Sequence, residues 1–249
     1  GGIAGYNKST GLIKNVESMA TFNVDTVKGY AVYIAGTVGY NAGTIYYAAV
    51  KNTTIIANKS YKVYAGGIAG LSSGVVYGCY VDTAVSITAS TTAIEKNNES
   101  HVGGLVGGLA NASSANKVGS VSYSVVKASN LQGFYVGGLI GYSYGSVTRS
   151  YVEGTTIRGF YAGGLAGIIN AVISNNAPVE SYDGNKSGLF QYDYAVVTIE
   201  NVNSTIDMST LSQVEIYNSV ATLDKGASAG IAVLVVYGSE VDNCYTVTN

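Results

Sequence analysis

His101, the one histidine of the chain, follows Glu99 and Ser100 directly, so a hydroxyl, an imidazole and a carboxylate stand together as nucleophilic catalysis would need them. The stretch leading to it, Thr91 to Ser100 (TTAIEKNNES), is polar and poor in β-branched residues, and predicts a solvated loop around that histidine. Asp82 and Glu153 each follow a Tyr-Val pair, and two such carboxylates are what glycoside hydrolysis uses. The other acids singled out, Asp25, Asp183, Glu200, Asp207 and Asp242, are scattered, and the two matched ones read as turn acids. Glycine-rich strings such as Gly103 to Gly108 (GGLVGG) invite a phosphate-cradling reading, but they lack the GxGxxG register and no helical pattern follows. One His, the distant Cys79 and Cys244, and no Asp-rich nonapeptide leave nothing with metal-ligand spacing. The expectation is a chain with no enzymatic activity, no cofactor and no metal.

What must position any site is a repeat. Short strings of Gly and apolar residues start at residues 1, 35, 66, 103, 137 and 163 (GGIAG, AGTVG, GGIAG, GGLVG, GGLIG, GGLAG), with decayed copies SGLFQ from Ser187 and AGIAV from Ala229. The second position is Gly in all eight: Gly2, Gly36, Gly67, Gly104, Gly138, Gly164, Gly188 and Gly230. Either a positive φ or a backbone passing too close for a side chain demands that. Recurrence at intervals of 24 to 42 residues marks units that bury their apolar face only by stacking on one another.

A second piece follows the first, as in Gly74 to Val81 (GVVYGCYV) and Gly145 to Val152 (GSVTRSYV), with relatives from Gly11, Gly43, Gly119 and Gly238. Its third position is apolar (Ile13, Ile45, Val76, Val121, Val147), its sixth small (Ala48, Cys79, Ser124, Ser150) and its eighth often Val (Val50, Val81, Val126, Val152). Strand alternation turns positions six and eight inward together and position seven (Tyr80, Tyr151, Tyr245) outward, and position three breaks that phase, which predicts a bend between them. A third apolar stretch (Val85 to Ile87, Thr156-Ile157, Thr205-Ile206) closes most units before Tyr or Phe leads into the next Gly motif.

The reading is an all-β fold: one domain, residues 1–249, built as a parallel β-solenoid of about eight coils with three short strands per coil, rising about 4.8 Å each. On that rise Asp82 and Glu153 stand about 10 Å apart, at the far edge for an inverting pair. Cys79 and Cys244, five coils apart, stand about 24 Å apart, too far for a disulfide. Two buried free thiols are expected. Excess residues in the longer units, Thr91 to Ser100 and Asn111 to Lys117, read as protruding insertions.

The composition agrees with this reading and narrows the partners. Of 249 residues, 47% are hydrophobic and 11% charged, with 33 Gly and 22 Tyr, which fits neither a disordered nor a helical chain. A net charge of −2 with no basic run excludes an electrostatic footprint for nucleic acid or an anionic membrane. The longest apolar run, Ile231 to Tyr237, is too short to span a bilayer. Asn-x-Ser/Thr sequons stand at Asn7, Asn52, Asn58, Asn98, Asn111, Asn185 and Asn203, in modest excess over chance, with Asn58, Asn98 and Asn111 expected to accept glycans more readily than Asn203.

The string Val136 to Gly141, with Gly145-Ser146-Val147 and Ser150-Tyr151 after it, resembles the GLUG-motif repeat. That resemblance covers the first six coils, weakens at Ser187 and Ala229, and brings no catalytic residues with it. It implies a large secreted surface protein, a class that includes bacterial adhesins and peptidase-associated passenger regions. The functional expectation is a non-catalytic structural segment of an extracellular filament or surface stalk. The alternative is an adhesin-type module gripping carbohydrate or a partner protein through a Tyr-rich face. The chain opens inside its own motif and ends in a second-piece strand, so further coils of a longer parent, or a second copy, are expected to continue the rod end to end.

Overall fold

The structure, a computed structural model, describes residues 1–25, 30–58, 62–89, 99–112, 117–169, 189–191, 194–201, 227–229, 232–235, 240–242 and 245–248. All regular structure among them is β-strand. One coil runs Ala31–Ala35, Val38–Asn41, Thr44–Tyr46, Ala49–Val50 and Thr54–Asn58, and the next begins at Lys62–Gly66. Each strand pairs in parallel with its counterparts one coil away: Val38 with Ala4 and Ala69, Ile45 with Ile13 and Val76, Val50 with Ser18 and Val81, Ile55 with Phe22 and Ile87. The result is three stacked parallel sheets, the wall of a β-helix. The first holds the strands after each Gly motif, the second those of positions two to four of the second piece, and the third the remaining segments.

Stacking like on like turns the repeat into columns. Ile45, Val76, Val121 and Val147 form one, Val50, Val81, Val126 and Val152 a second, and Ile55, Ile87, Leu131 and Ile157 a third, every member buried. Each such side chain contributes about 1.5–3 kcal/mol by leaving water. The predicted parity holds: positions six and eight are inside, and Tyr80 and Tyr151 at position seven are only partly buried.

The second glycine of the motif answers a close approach, since the positive-φ glycines among the described residues are Gly78 and Gly154. A Cβ on Gly36 would lie 2.5 Å from Val50 Cγ1 and 2.7 Å from the carbonyl oxygen of Gly67. On Gly67 it would lie 2.6 Å from Val81 Cγ2 and 2.5 Å from the carbonyl oxygen of Gly104. The motif glycine and the position-eight valine therefore share one space across the coil.

The left-handed backbone sits at position five of the second piece instead, and recurs at position ten in Asn52 and Gly154, with φ of 44° and 64°. Asn15, Tyr47, Gly78, Tyr123 and Arg149 have φ of 55°, 54°, 63°, 52° and 51°, and this is the bend that the phase break between positions three and six requires. The bend takes the position-six amide out of the ladder, and the position-six side chain of the next coil receives it. Ser124 Oγ accepts from Cys79 N at 3.1 Å and Ser150 Oγ from Ser124 N at 3.2 Å, and each hydroxyl donates to the carbonyl two residues before it. A small polar residue in this column satisfies a buried backbone group.

Two expectations need correction. Glu99 and Ser100 belong to the strand Glu99–Gly103, which pairs with Lys62–Gly66, so His101 lies in the wall and not in a loop. The copy at Ser187 is not a further Gly motif: Leu189–Gln191 lies in the second sheet, with Phe190 opposite Val147, so it continues the second piece. The first two sheets accordingly hold seven strands each among the described residues, against eight motif copies. Ala229 keeps its expected place opposite Gly163, and Gly188, Gly230, Thr205 and Ile206 lie outside the described residues. The insertion after Leu109 carries a short antiparallel hairpin, Asn111–Ala112 with Lys117–Val118.

Candidate binding surface

The second sheet presents positions two and four to the outside, while position three is buried in every coil from Ile45 to Val147. Its outer residues are Leu12 and Lys14, Thr44 and Tyr46, Val75 and Tyr77, Ser120 and Ser122, Ser146 and Thr148. The position-five column borders them, so the left-handed corner carries its side chains onto the same face. Tyr77 meets Tyr46 at 5.6 Å, Tyr47 at 5.8 Å and Tyr123 at 5.2 Å between ring centroids. Tyr47 and Tyr123 remain 51% and 47% exposed, and the Arg149 guanidinium lies over the Tyr123 ring at 5.4 Å with Nη1 donating to its hydroxyl at 2.9 Å. No sequence signal marked this cluster, because position five holds Tyr in two coils only and Asn15, Gly78 and Arg149 in the others.

The matched carboxylates belong to position nine, where the column reads Met19, Lys51, Asp82, Lys127, Glu153. Signs alternate along it. Lys127 Nζ stands 3.4 Å from Glu153 Oε2, and Lys51 Nζ 2.7 Å from Glu17 Oε2. The backbone amide of Thr83 holds the Asp82 carboxyl below its usual range, helped by the hydroxyls of Tyr80 and Thr83 and by Lys51. A lysine thus stands in the column between Asp82 and Glu153, which are solvated partners of cations on the wall.

A second aromatic row occupies the position two residues before each Gly motif. Tyr33, Tyr64, His101, Tyr135 and Tyr161 are successive ladder partners. His101 lies nearly parallel between Tyr64, at 4.8 Å and 15°, and Tyr135, at 5.2 Å and 7°, with Tyr142 edge-on at 5.3 Å. It is 2% exposed. Burial pushes its imidazole below the ordinary histidine value, against the opposing pull of Glu99, whose Oε2 stands 3.4 Å from Nε2. Burial raises the Glu99 carboxyl in turn, but contact with His101 holds it below its usual range. The ring is a rung of a stack, and the hydroxyl of Ser100 accepts from Phe134 N at 2.8 Å. The available signal was the spacing: His101-Val102-Gly103 repeats Tyr64-Ala65-Gly66.

Of the sequons, Asn7 is buried, with Nδ2 donating to Asn41 Oδ1 at 2.8 Å, and Asn41 passes the chain on to Ser72 Oγ at 3.0 Å. That amide has no room for a glycan. Asn52 and Asn58 are exposed, and Asn111 opens the antiparallel hairpin. Asn98, Asn185 and Asn203 lie outside the described residues, as does Cys244. Cys79 is buried and free, its thiol pushed up to about 11 by burial despite hydrogen bonds from the backbone, that of Ala48 foremost. The strand after Cys244, Tyr245–Thr248, lies four ladder steps from Tyr80–Val81, one fewer than the eight-coil reading implies.

Residues 132–158 match the family described as the GLUG motif. Those residues run from the end of one coil through its Gly motif and second piece into the third apolar stretch. No curated protein and no solved structure matches the chain. Among the described residues, no helix is long and apolar enough to cross a membrane.

Proposed function

We propose that the chain is a non-catalytic rod segment of an extracellular or cell-surface protein, one domain that supplies length and a patterned wall. The observation that carries this is the register. Lys62–Gly66 pairs residue for residue with Ala31–Ala35 on one side and with Glu99–Gly103 on the other, so each coil reproduces the last and adds one strand spacing of about 4.8 Å. The GLUG match over residues 132–158 supports reading the segment as a repeat domain of an extracellular or surface protein. The hydrogen bonds of Asp82 with Tyr80 and Thr83, the contact of Glu153 with Lys127 and the stacking of His101 supply structural roles for the residues that catalysis would have claimed. Because parallel coils add without a change of register, further coils of a longer chain or of a second copy extend the same rod. Negative-stain images of the native material test this: rods or continuous fibres are expected, and globular particles would refute it.

The alternative, an adhesin-type module, draws support from the cluster of Tyr46, Tyr47, Tyr77 and Tyr123, in which Tyr47 and Tyr123 are exposed and Tyr46 and Tyr77 half-buried. A rod and a ligand-binding wall are compatible, and the cluster is the face on which such a module would act.

A further inference from the structure

We infer that Tyr6 and Tyr40 are a site of oxidative cross-linking, at which one-electron oxidation joins the two rings and ties one coil covalently to the next. The register sets up the pair. Tyr6 and Tyr40 are ladder partners in the first sheet, and their ring centroids stand 5.2 Å apart at an interplanar angle of 32°. Tyr6 is 55% exposed and Tyr40 half-buried, so an oxidant in solvent reaches one ring and a second lies beside it. Such a neighbour is present at an effective concentration far above that of any other molecule.

Composition directs one-electron oxidation to tyrosine. The chain has 22 Tyr and no Trp, which leaves phenols as its most readily oxidised rings. Cys79 does not compete, because it is buried and its thiol stays protonated. The exposed Met19 takes an oxygen atom from peroxide, which is a different reaction.

Geometry then selects among the tyrosines. Tyr46 and Tyr47 meet Tyr77 edge-on, at 84° and 85°, and the Tyr47 ring is seated on Gly78. Tyr123 stands 5.2 Å from Tyr77 at 47°, but its hydroxyl accepts from Arg149. Tyr33 lies 5.6 Å from Tyr64 at 31°, and the Tyr64 ring is seated against Gly108. Tyr135 and Tyr161 are nearly parallel at 5.0 Å, yet both are buried. Tyr6 and Tyr40 alone among these pairs combine access, proximity and near-parallel rings.

The reaction balances with peroxide as oxidant. Each phenol loses one electron and its hydroxyl proton, and a C–C bond forms between the ring carbons ortho to the two oxygens. The hydrogens displaced from those carbons are replaced at the oxygens, so both hydroxyls are restored. Hydrogen peroxide, activated by a haem peroxidase, accepts the two electrons and two protons and leaves as two waters.

Treatment of the dilute full chain with a plant haem peroxidase and hydrogen peroxide, followed by peptide mass mapping, tests the inference. The main product is expected to be a link within one chain between the Tyr6 and Tyr40 peptides, lighter by two hydrogen atoms. Tyr6→Phe should lower the dityrosine fluorescence of the monomer about fivefold or more at an unchanged melting temperature. Tyr30→Phe should leave it unchanged, although Tyr30, at 75%, is the most exposed of the described tyrosines. Absence of any link, links led by Tyr30, links between chains only, or undiminished fluorescence in Tyr6→Phe would each overturn it. The inference rests on the surface-rod reading, which sets this wall before extracellular oxidants, yet the two fail separately. Rods without the link refute the cross-linking site alone, and globular particles that carry the link refute the rod alone.

Discussion

Gly67 and Val81 meet across the interior of one coil: the Cβ that Gly67 lacks would lie 2.6 Å from Val81 Cγ2. The same relation joins Gly36 to Val50 and Gly104 to Val126, so the motif glycine and the position-eight valine are a single packing unit repeated along the rod. Gly67→Ala is therefore expected to destabilise the fold by about 1–3 kcal/mol through overpacking. Val81→Ala in the same chain should recover only part of that loss, because the carbonyl oxygen of Gly104 stands 2.5 Å from the same point. Denaturant unfolding of the two variants checks this, and full recovery would mean that the backbone contact is not limiting.

Cys79 acts in its column as serine does in the neighbouring ones, its sulfur taking the Ala48 amide and facing the Tyr77 carbonyl at 3.4 Å. Cys79→Ser should thus be nearly neutral. Cys79→Ala should cost roughly 1–3 kcal/mol by leaving a buried amide unpaired. Equal stability of the two variants would show that the sulfur does no more than fill space.

His101 links stability to pH. Its folded-state value lies below the ordinary 6.5, so the unfolded chain binds the proton first as pH falls, and stability present above 6.5 is lost below it. Glu99, held below its ordinary 4.5, adds a further loss under that value. The groups facing the imidazole are Glu99, Lys62, Tyr64, Tyr135 and Tyr142. Melting temperature should fall between pH 7 and pH 5, and His101→Tyr, which restores the residue of the flanking rungs, should flatten that part of the profile. An unchanged slope in this variant would assign the dependence to other groups.

Glycan occupancy separates the sequons by geometry. In a eukaryotic secretory host, Asn52 and Asn58 are expected to be modified and Asn7 to remain bare, since its amide is committed to Asn41. Intact-glycopeptide mass spectrometry reads the three sites directly. A modified Asn7 would contradict the packing of the first coil.

Much of the wall was legible because it repeats within one chain. Alternation alone turned Ser124, Ser150 and the valine column inward, and the phase break between positions three and six announced a bend. What the residues did not show is where the left-handed backbone falls, since Asn15, Tyr47, Gly78, Tyr123 and Arg149 share no side-chain property, and only Gly and Asn favour that conformation. The Tyr47 and Tyr123 face was hidden for the same reason. His101 was misplaced because a polar insertion precedes it, which outweighed its equivalence to Tyr64. The string SGLFQ fits both the first and the second piece, and pairing of Phe190 with Val147 decides between them.

The in-register stack is the claim on which the rest depends, and a spin-label distance tests it most directly. Leu12 and Ser146 occupy the same outward column, joined through Thr44, Val75 and Ser120. In a background carrying Cys79→Ser and Cys244→Ser, labels at Leu12→Cys and Ser146→Cys should show a narrow distribution near four strand spacings, about 19 Å. A broad distribution, or one centred beyond 35 Å, roughly seven such spacings, would contradict the stack.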